Sequence, residues 1–226
     1  MTYSLEDVVP WGRNLMEYQA MFELTSADLQ STIIGVSDGP ASFNSELTAQ
    51  GGRVVSVDPI YQFSAEQIER RIDTVVPIVM GQLRENQHEF VWQLFNTPDQ
   101  LEQARLAAMR AFLDDFPKGL AEKRYQSGEL PTLAFADRQF DLALCSHFLF
   151  LYSAQFDADF HLAAIHELCR VAQEVRIFPV LELGSIQSRH LSQVMKGLRE
   201  GGFLAELQTV NYEFQRGGNQ MLRINQ

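Results

Sequence analysis

The sequence predicts an α/β protein built on a doubly wound, mostly parallel sheet of seven strands. A strand, a glycine-containing turn, a helix and a second strand follow one another near the start of the chain. Short β-branched runs then alternate with helical segments, and two extended runs around a glycine loop predict a C-terminal antiparallel hairpin. No linker composition interrupts this order, so residues 1–226 are expected to form one domain.

The first elements form a β-α-β unit. A helix is expected over residues 11–24, where apolar side chains recur at helical spacing. Short β-branched strands are expected at 31–36 and 53–57, with a helix at about 43–50 between them that ends at Gly51. Such a crossover places the two strands parallel and is right-handed.

Residues 62–120 predict an all-helical insertion. Ser64 and Gln67 form a capping box, and Thr97 before a proline is a second helix start. Pro77 is expected to kink or split the first helix. Because a parallel crossover needs only one helix, we expect this segment to form a cap over the carboxyl edge of the sheet, where open α/β sheets bind ligands.

The α/β alternation then resumes and continues to the end of the chain. Asp159 or a neighbour is expected to cap the next helix, and Ser188 the one after it. The predicted elements are strands at 140–145 and 174–180, helices at about 159–172 and 188–200, and hairpin strands at 203–214 and 220–224.

Composition limits the possible partners. The chain is 46% apolar and 21% charged, enough to bury a core, and its net charge of −11 disfavours nucleic acid and anionic membranes. No run approaches the ~20 apolar residues of a membrane span, and residues 1–7 lack a signal-peptide pattern. We therefore expect a cytoplasmic protein. Two buried free thiols at Cys145 and Cys169 are favoured, although a disulfide remains open.

The first turn predicts a binding site for an adenosine-containing cofactor. Ser37, Asp38 and Gly39 are small or turn-forming residues directly after the first strand, and they allow a ligand to approach the backbone. Asp58 ends the second strand about 20 residues later, the spacing of a ribose-binding acid. The alternative is an ordinary α/β turn in which Asp58 only ends its strand.

Five segments, in order, resemble class I S-adenosylmethionine-dependent methyltransferases. Residues 34–43 (IGVSDGPASF) resemble the family's L-D-x-G-C-G-P-G-x-F motif, and residues 55–58 resemble its ribose-binding block. Residues 133–142 (LAFADRQFDL) resemble L-P-F-x-D-x-x-F-D-L, and 145–149 resemble the segment that follows it. Residues 167–171 (ELCRV) resemble the helix end E-x-x-R-V.

The first motif departs from the family pattern. Gly35 stands at its acidic position, and Ser37 and Ala41 replace two of its three glycines. A relative that binds the cofactor or a partner but has lost methyl transfer is therefore the alternative function. A nicotinamide oxidoreductase is disfavoured, because the chain lacks the usual Tyr-x-x-x-Lys pair.

The resemblance implies S-adenosyl-L-methionine-dependent methyl transfer to a small molecule. It leaves the acceptor and the oligomeric state open. The residues expected to bind the cofactor are Ser37, Asp38, Gly39, Asp58, Pro59, Ser127, Gly128, Glu129 and Ser146.

Three further residues have two possible roles each. His147 is the best-placed general base, or else it packs near the cofactor. Arg13 could pair with the cofactor's methionine carboxylate and Tyr18 could close the site; the alternative is an amphipathic helix with a solvated arginine.

A metal site is not expected. Asp157, Asp159, His161 and His166 lie close together in the sequence, but five residues separate the two histidines by about 140° around a helix. Helix capping by Asp159 accounts for the acidic residues without a metal.

Overall fold

A computed structural model describes residues 9–225. The segment weighed above for a signal peptide lies outside the described residues. The main sheet contains β1 (Thr32–Val36), β2 (Arg53–Val57), β3 (Tyr125–Gln126), β4 (Phe140–Ser146), β5 (Ala172–Phe178), β8 (Leu204–Thr209) and β9 (Gln220–Asn225), and a separate small hairpin contains β6 (Leu181–Glu182) and β7 (Ile186–Gln187). The helices are α1 (Leu15–Phe22), α2 (Phe43–Ala49), α3 (Ala65–Glu85), α4 (Pro98–Ala121), α5 (Ala158–Val171) and α6 (Leu191–Glu200).

The main sheet confirms the predicted fold. Its strand order is β3-β2-β1-β4-β5-β9-β8, with β1 to β5 parallel and β9 antiparallel to both β5 and β8. The chain runs outward from β1 in one direction and returns to continue from β4 in the other. The carboxyl ends of β1 and β4 therefore flank the topological switch point, where such sheets bind ligands.

α1 and α6 begin later than predicted, and the cap of α5 is a neighbour of Asp159. α1 begins after Asn14, which forms a capping box with Glu17, rather than at residue 11. Asp157, not Asp159, caps α5 by accepting a hydrogen bond from the Phe160 N–H. α6 begins after His190 without a side-chain cap, and Ser188 instead accepts from the His190 N–H.

The insertion divides into two helices with different packing. α3 is a single helix through Pro77, because its buried apolar side is continuous along both halves. α4 contacts α2 and β3, and its Phe112 and Phe116 rings pack on Tyr125. α4 therefore occupies the place of an ordinary crossover helix, which leaves α3 as the additional one.

The E-x-x-R segment of α5 has a structural role. Arg170 donates to the Leu133 and Phe135 carbonyls and pairs with Glu167 at 2.8 Å. Glu167 accepts from the Leu133 N–H at 2.6 Å. This pair therefore ties α5 to the loop that leads into β4.

Two further expectations concern cysteines and membranes. Cys145 and Cys169 are buried free thiols, as favoured above. Across residues 9–225, helices with the length and apolarity of a membrane span are not found.

Candidate functional site

A cavity of about 500 Å³ opens at the carboxyl ends of β1, β2 and β4. Its size falls within the ~300–1,000 Å³ typical of small-molecule sites. Predicted residues from these strand ends line it, namely Ser37, Asp38, Gly39, Asp58, Ser146 and His147. Arg13 and Tyr18 of the N-terminal segment line it as well.

Four predicted residues do not line this cavity. Pro59 begins a short 3₁₀ helix, residues 59–62, that follows β2. Ser127, Gly128 and Glu129 follow β3, and Gly128 lies against Val57. Their assignment to the cofactor stays a prediction.

The turn after β1 leaves its backbone open to a ligand. Ser37 and Gly39 both have positive φ angles, 60° and 55°. The Ser37 N–H donates to the Val57 carbonyl at 2.8 Å, which joins the turn to β2. A Cβ placed on Gly39 would have no atom within 4 Å, so space for close approach is present at this residue.

Two carboxylates flank Gly39. Asp38 accepts from the Tyr18 hydroxyl at 2.8 Å and from the Ser56 hydroxyl at 2.6 Å. Asp58 accepts from the Gly39 N–H and the Ile60 N–H, both at 2.9 Å. Burial raises the pKa of each carboxyl to about 6, and repulsion from Asp58 adds to the raised pKa of Asp38.

The arginine Arg13 also lines the cavity. Arg13 donates to the Trp11 carbonyl at 3.2 Å, and its Nε is buried without a partner. Burial lowers the pKa of Arg13, and the neighbouring Arg105 lowers it further. Among residues 9–225, ion pairs with Arg13 are not found.

Arg105 belongs to a buried network that joins α1 and α4. Its guanidinium pairs with Glu17 at 2.6 Å, and Glu17 also accepts from the Tyr212 hydroxyl at 3.0 Å. Burial alone would raise the pKa of Glu17, but Arg105 lowers it below its usual range. The charge of Arg13 also lowers the pKa of Glu17, but the carboxylate is paired with Arg105.

Tyr18 is part of the fixed wall of the cavity. Its ring stacks on Phe43 at 4.2 Å between centroids, and its hydroxyl is bound to Asp38. It is 1% exposed. The interactions that the structure gives it position Asp38, and its predicted part in closing the site stays a prediction.

His147 follows β4 and faces the same cavity. Its ring Nδ1 lies 2.9 Å from the Ser146 hydroxyl oxygen, and its backbone N–H donates to the Phe178 carbonyl at 2.6 Å. Burial lowers the pKa of His147 well below its usual value, and Arg13 and Arg105 lower it further. The imidazole is therefore neutral at pH 7 and weakly basic.

The sequence did not predict the side of the cavity that lies beyond β4, which we call its far wall. Three segments meet there: the loop at 87–92, the β6–β7 hairpin and the residues that follow β8. The Val91 N–H donates to the Phe214 carbonyl at 2.7 Å, and the Gln215 amide donates to the Glu182 carbonyl at 2.8 Å. Rings and aliphatic side chains line this end of the cavity, among them Phe90, Phe148, Leu151, Tyr152, Leu183 and Phe214.

No local motif marks this wall. Phe90 and Phe214 stack at 4.9 Å although more than 100 residues separate them. The indication in the sequence is the aromatic content of the segments around them, which is equally typical of an ordinary hydrophobic core. Among residues 9–225, a group of three metal-binding side chains is not found.

Comparisons with known proteins give one relative in sequence and several in structure. Protein-family models give no match to the chain. Among solved structures, it is similar to magnesium protoporphyrin IX methyltransferase from Synechocystis PCC 6803 with bound SAM, at 13% identity and a TM-score of 0.43, over 88% of this chain and 72% of that one. It is also similar to a SAM-dependent methyltransferase from Aquifex aeolicus, at 13% identity and a TM-score of 0.43, over 92% of this chain and 90% of that one.

A curated protein aligns over nearly the whole chain. It is the uncharacterized protein MJ0045 of Methanocaldococcus jannaschii, 33% identical over 225 residues, which are 98% of this chain and 97% of the relative. The chain therefore belongs to the same family as MJ0045.

Proposed function

We propose that this protein binds S-adenosyl-L-methionine and transfers its methyl group to a small molecule. The observation that carries the proposal is the charge pattern of one cavity at the switch point. Two buried carboxylates, Asp38 and Asp58, and the positively charged Arg13 line this one cavity. A zwitterionic amino acid joined to a nucleoside matches this pattern, since it presents an ammonium, a carboxylate and ribose hydroxyls.

The residues present fit such a cofactor. Asp58 is the proposed ribose anchor, because each of its oxygens keeps a further lone pair beside the open space at Gly39. Arg13 is the proposed partner of the methionine carboxylate. When bound, the cofactor supplies an activated methyl group on sulfur, and the chain has to align the acceptor with it and exclude water.

We place the acceptor at the apolar end of the cavity, beyond His147. The neutral His147 would lie near the reacting atoms and orient them by hydrogen bonding, rather than act as a strong base. The aromatic lining there suits a small molecule with apolar surface. The solved structures with bound SAM or a SAM-dependent activity are consistent with the cofactor.

We also propose that α3 caps the site. Its first turns contribute Gln67, Ile68 and Arg71 to the cavity, and Leu83 near its other end contributes as well. A helix of 21 residues is about 30 Å long, which is enough to cross the carboxyl edge from β2 to the far wall.

Calorimetry with S-adenosylhomocysteine, S-adenosylmethionine and NAD tests the proposal. We expect both S-adenosyl compounds to bind with 1:1 stoichiometry and NAD not to bind. Release of S-adenosylhomocysteine with a pool of small aromatic acceptors then separates an active enzyme from an inert cofactor-binding relative. Failure of both S-adenosyl compounds to bind would refute the proposed function.

A further inference from the structure

Gly35 has no room for a side chain. A Cβ on Gly35 would lie 2.5 Å from the Cγ of Asp38 and closer still to its Oδ2, whereas real Cβ atoms stay beyond 3.0 Å. The carboxyl group of Asp38 therefore occupies the volume where a side chain of residue 35 would begin. Residue 35 is the position at which the motif has an acid and this chain has none.

Asp38 is held in that place from two sides. Tyr18 of α1 and Ser56 of β2 each donate a hydroxyl hydrogen bond to its carboxylate. The Asn44 amide lies 3.1 Å from the Ser56 hydroxyl, so α2 supports the arrangement as well. These neutral donors fix the carboxylate without neutralising its charge.

We propose that Asp38 replaces the acid missing at residue 35 and binds the ammonium of the cofactor's amino-acid tail. The motif is then rearranged rather than eroded: its carboxylate enters the same space from three residues later in the chain. This inference rests on the proposed function. It gives a partner to the ammonium, the one charged group of the tail for which Asp58 and Arg13 provide none.

The charges of the site favour a cation at Asp38. Asp38 and Asp58 are both buried and flank Gly39, and basic side chains paired with either are not found among residues 9–225. Both oxygens of Asp58 already accept backbone N–H groups, so that carboxylate has electrostatic support of its own. Asp38 has only hydroxyl donors, and an ammonium beside it would supply the missing countercharge.

Paired ligands test the assignment. S-adenosylhomocysteine carries the amino-acid tail, and 5′-methylthioadenosine keeps the nucleoside and sulfur but lacks the ammonium and carboxylate. Asp38→Asn keeps the size of the side chain and removes its charge. We expect it to weaken S-adenosylhomocysteine by about 10- to 100-fold and 5′-methylthioadenosine by less than about threefold. Asp58→Asn is the matched control and should weaken both ligands alike, because both contain the ribose.

An exchange of the two residues tests the geometry independently. Gly35→Asp alone should lower the melting temperature sharply, because its Cβ meets the Asp38 carboxyl group. The double variant Gly35→Asp/Asp38→Gly removes this clash. We expect it to melt above Gly35→Asp and to bind S-adenosylhomocysteine more tightly than Asp38→Gly.

The outcomes separate this inference from the proposed function. If the wild type binds S-adenosylhomocysteine but Asp38→Asn weakens both ligands equally, or neither, the ammonium assignment is wrong and the function stands. If the double variant melts no higher than Gly35→Asp, the exchange of positions is wrong. If the wild type binds neither ligand, the function and the ammonium assignment fail together, while the melting comparison still decides the exchange.

Discussion

Two residues that line the cavity at the strand ends also have strained backbone conformations. Ser37 and His147 follow the neighbouring strands β1 and β4, and both have positive φ angles, 60° and 53°. For residues other than glycine this conformation costs about 1–2 kcal/mol. Such outliers persist where the surrounding structure fixes them, and they concentrate at functional sites.

Replacing Ser37 tests the strain directly. Ser37→Gly should raise the free energy of unfolding by about 0.5–1 kcal/mol, because glycine adopts positive φ freely but loses more entropy on folding. That corresponds to about 1–4 °C in melting temperature. Ser37→Ala is the control: it removes the hydroxyl and keeps the Cβ, so it should give no gain. A similar gain from both variants would mean that the hydroxyl, not the backbone, is unfavourable.

Asp58 is expected to support both cofactor binding and the local fold. Asp58→Ala should weaken S-adenosylhomocysteine about 10- to 100-fold, since hydrogen bonds to a charged acceptor contribute ~1.5–3 kcal/mol each. The same change leaves the Gly39 and Ile60 N–H groups without their acceptor. A loss of about 1–2 kcal/mol in stability should accompany it, and a thermal melt beside the calorimetry measures both. Unchanged affinity would reduce Asp58 to a structural cap.

His147 should contribute little as a base. Its pKa lies well below the usual value because it is buried near two arginines. With any acceptor that the wild type methylates, His147→Ala should therefore keep a measurable share of kcat, whereas removal of a true general base costs ~10²–10⁴-fold. A loss of that size with unchanged affinity for S-adenosylhomocysteine would identify His147 as the base.

At the scale of elements, the buried Glu17–Arg105 pair joins α1 to α4. Both side chains are fully buried. Glu17→Gln leaves a buried guanidinium without its carboxylate and should cost about 3–5 kcal/mol. Glu17→Gln/Arg105→Met should cost less than the sum of the single changes, by about 1–3 kcal/mol. Urea unfolding of all four proteins measures the coupling, and strict additivity would show that the pair is not energetically linked.

Elements with strong local signals were predicted well from the sequence. β2 was predicted at its observed bounds, Arg53–Val57, because a glycine pair precedes it and Asp-Pro ends it. The Ser64–Gln67 capping box and the turn residues placed most other elements within a few residues, but the strand expected at 203–214 ends at Thr209. The split expected at Pro77 does not occur, since burial along α3 outweighs the local cost of a proline, and the expected kink stays a prediction.

The candidate site was only half visible in the sequence. The end proposed to hold the nucleoside was predicted from the order of strand, turn and acid in the first β-α-β unit. The apolar end is assembled from three segments that are distant in the chain, such as those that carry Phe90 and Phe214. Contacts of this kind cannot be predicted from the spacing of residues in the sequence. The partnership of Gly35 with Asp38 was also hidden, because it depends on a shared volume.

At the scale of the whole molecule, the two buried acids and the net negative charge both favour the folded protein more at lower pH. The net charge is −11 at pH 7, so protonation reduces self-repulsion as the pH falls. Asp38 and Asp58 have pKa values raised from 3.8 to about 6 by burial. Between these values the two carboxyls bind more protons in the folded protein than in the unfolded chain, so their contribution to stability falls as the pH rises through this window.

The lowered pKa values of His147 and His161 act in the opposite sense, because these histidines gain protons on unfolding as the pH falls below about 6.5. The contribution of Asp38 is therefore measured as a difference: from pH 7 to pH 5, the ligand-free wild type should gain melting temperature relative to Asp38→Asn, because the variant lacks one of the two titrating carboxyls. Affinity for S-adenosylhomocysteine should change in the opposite sense and fall as the pH is lowered through about 6. Melting curves and calorimetry across pH 5–8 measure both trends. A wild type and variant with identical pH profiles would show that Asp38 does not titrate there.

The shared volume of Gly35 and Asp38 also restricts the mutational routes open to the family. A chain with acids at both positions would force a Cβ into a carboxyl group. Moving the acid between the two positions one substitution at a time therefore passes either through that crowded form or through one with no acid in this place. With the role proposed for Asp38, the first intermediate should be less stable and the second should bind the cofactor more weakly, so single substitutions do not exchange the two arrangements without a loss.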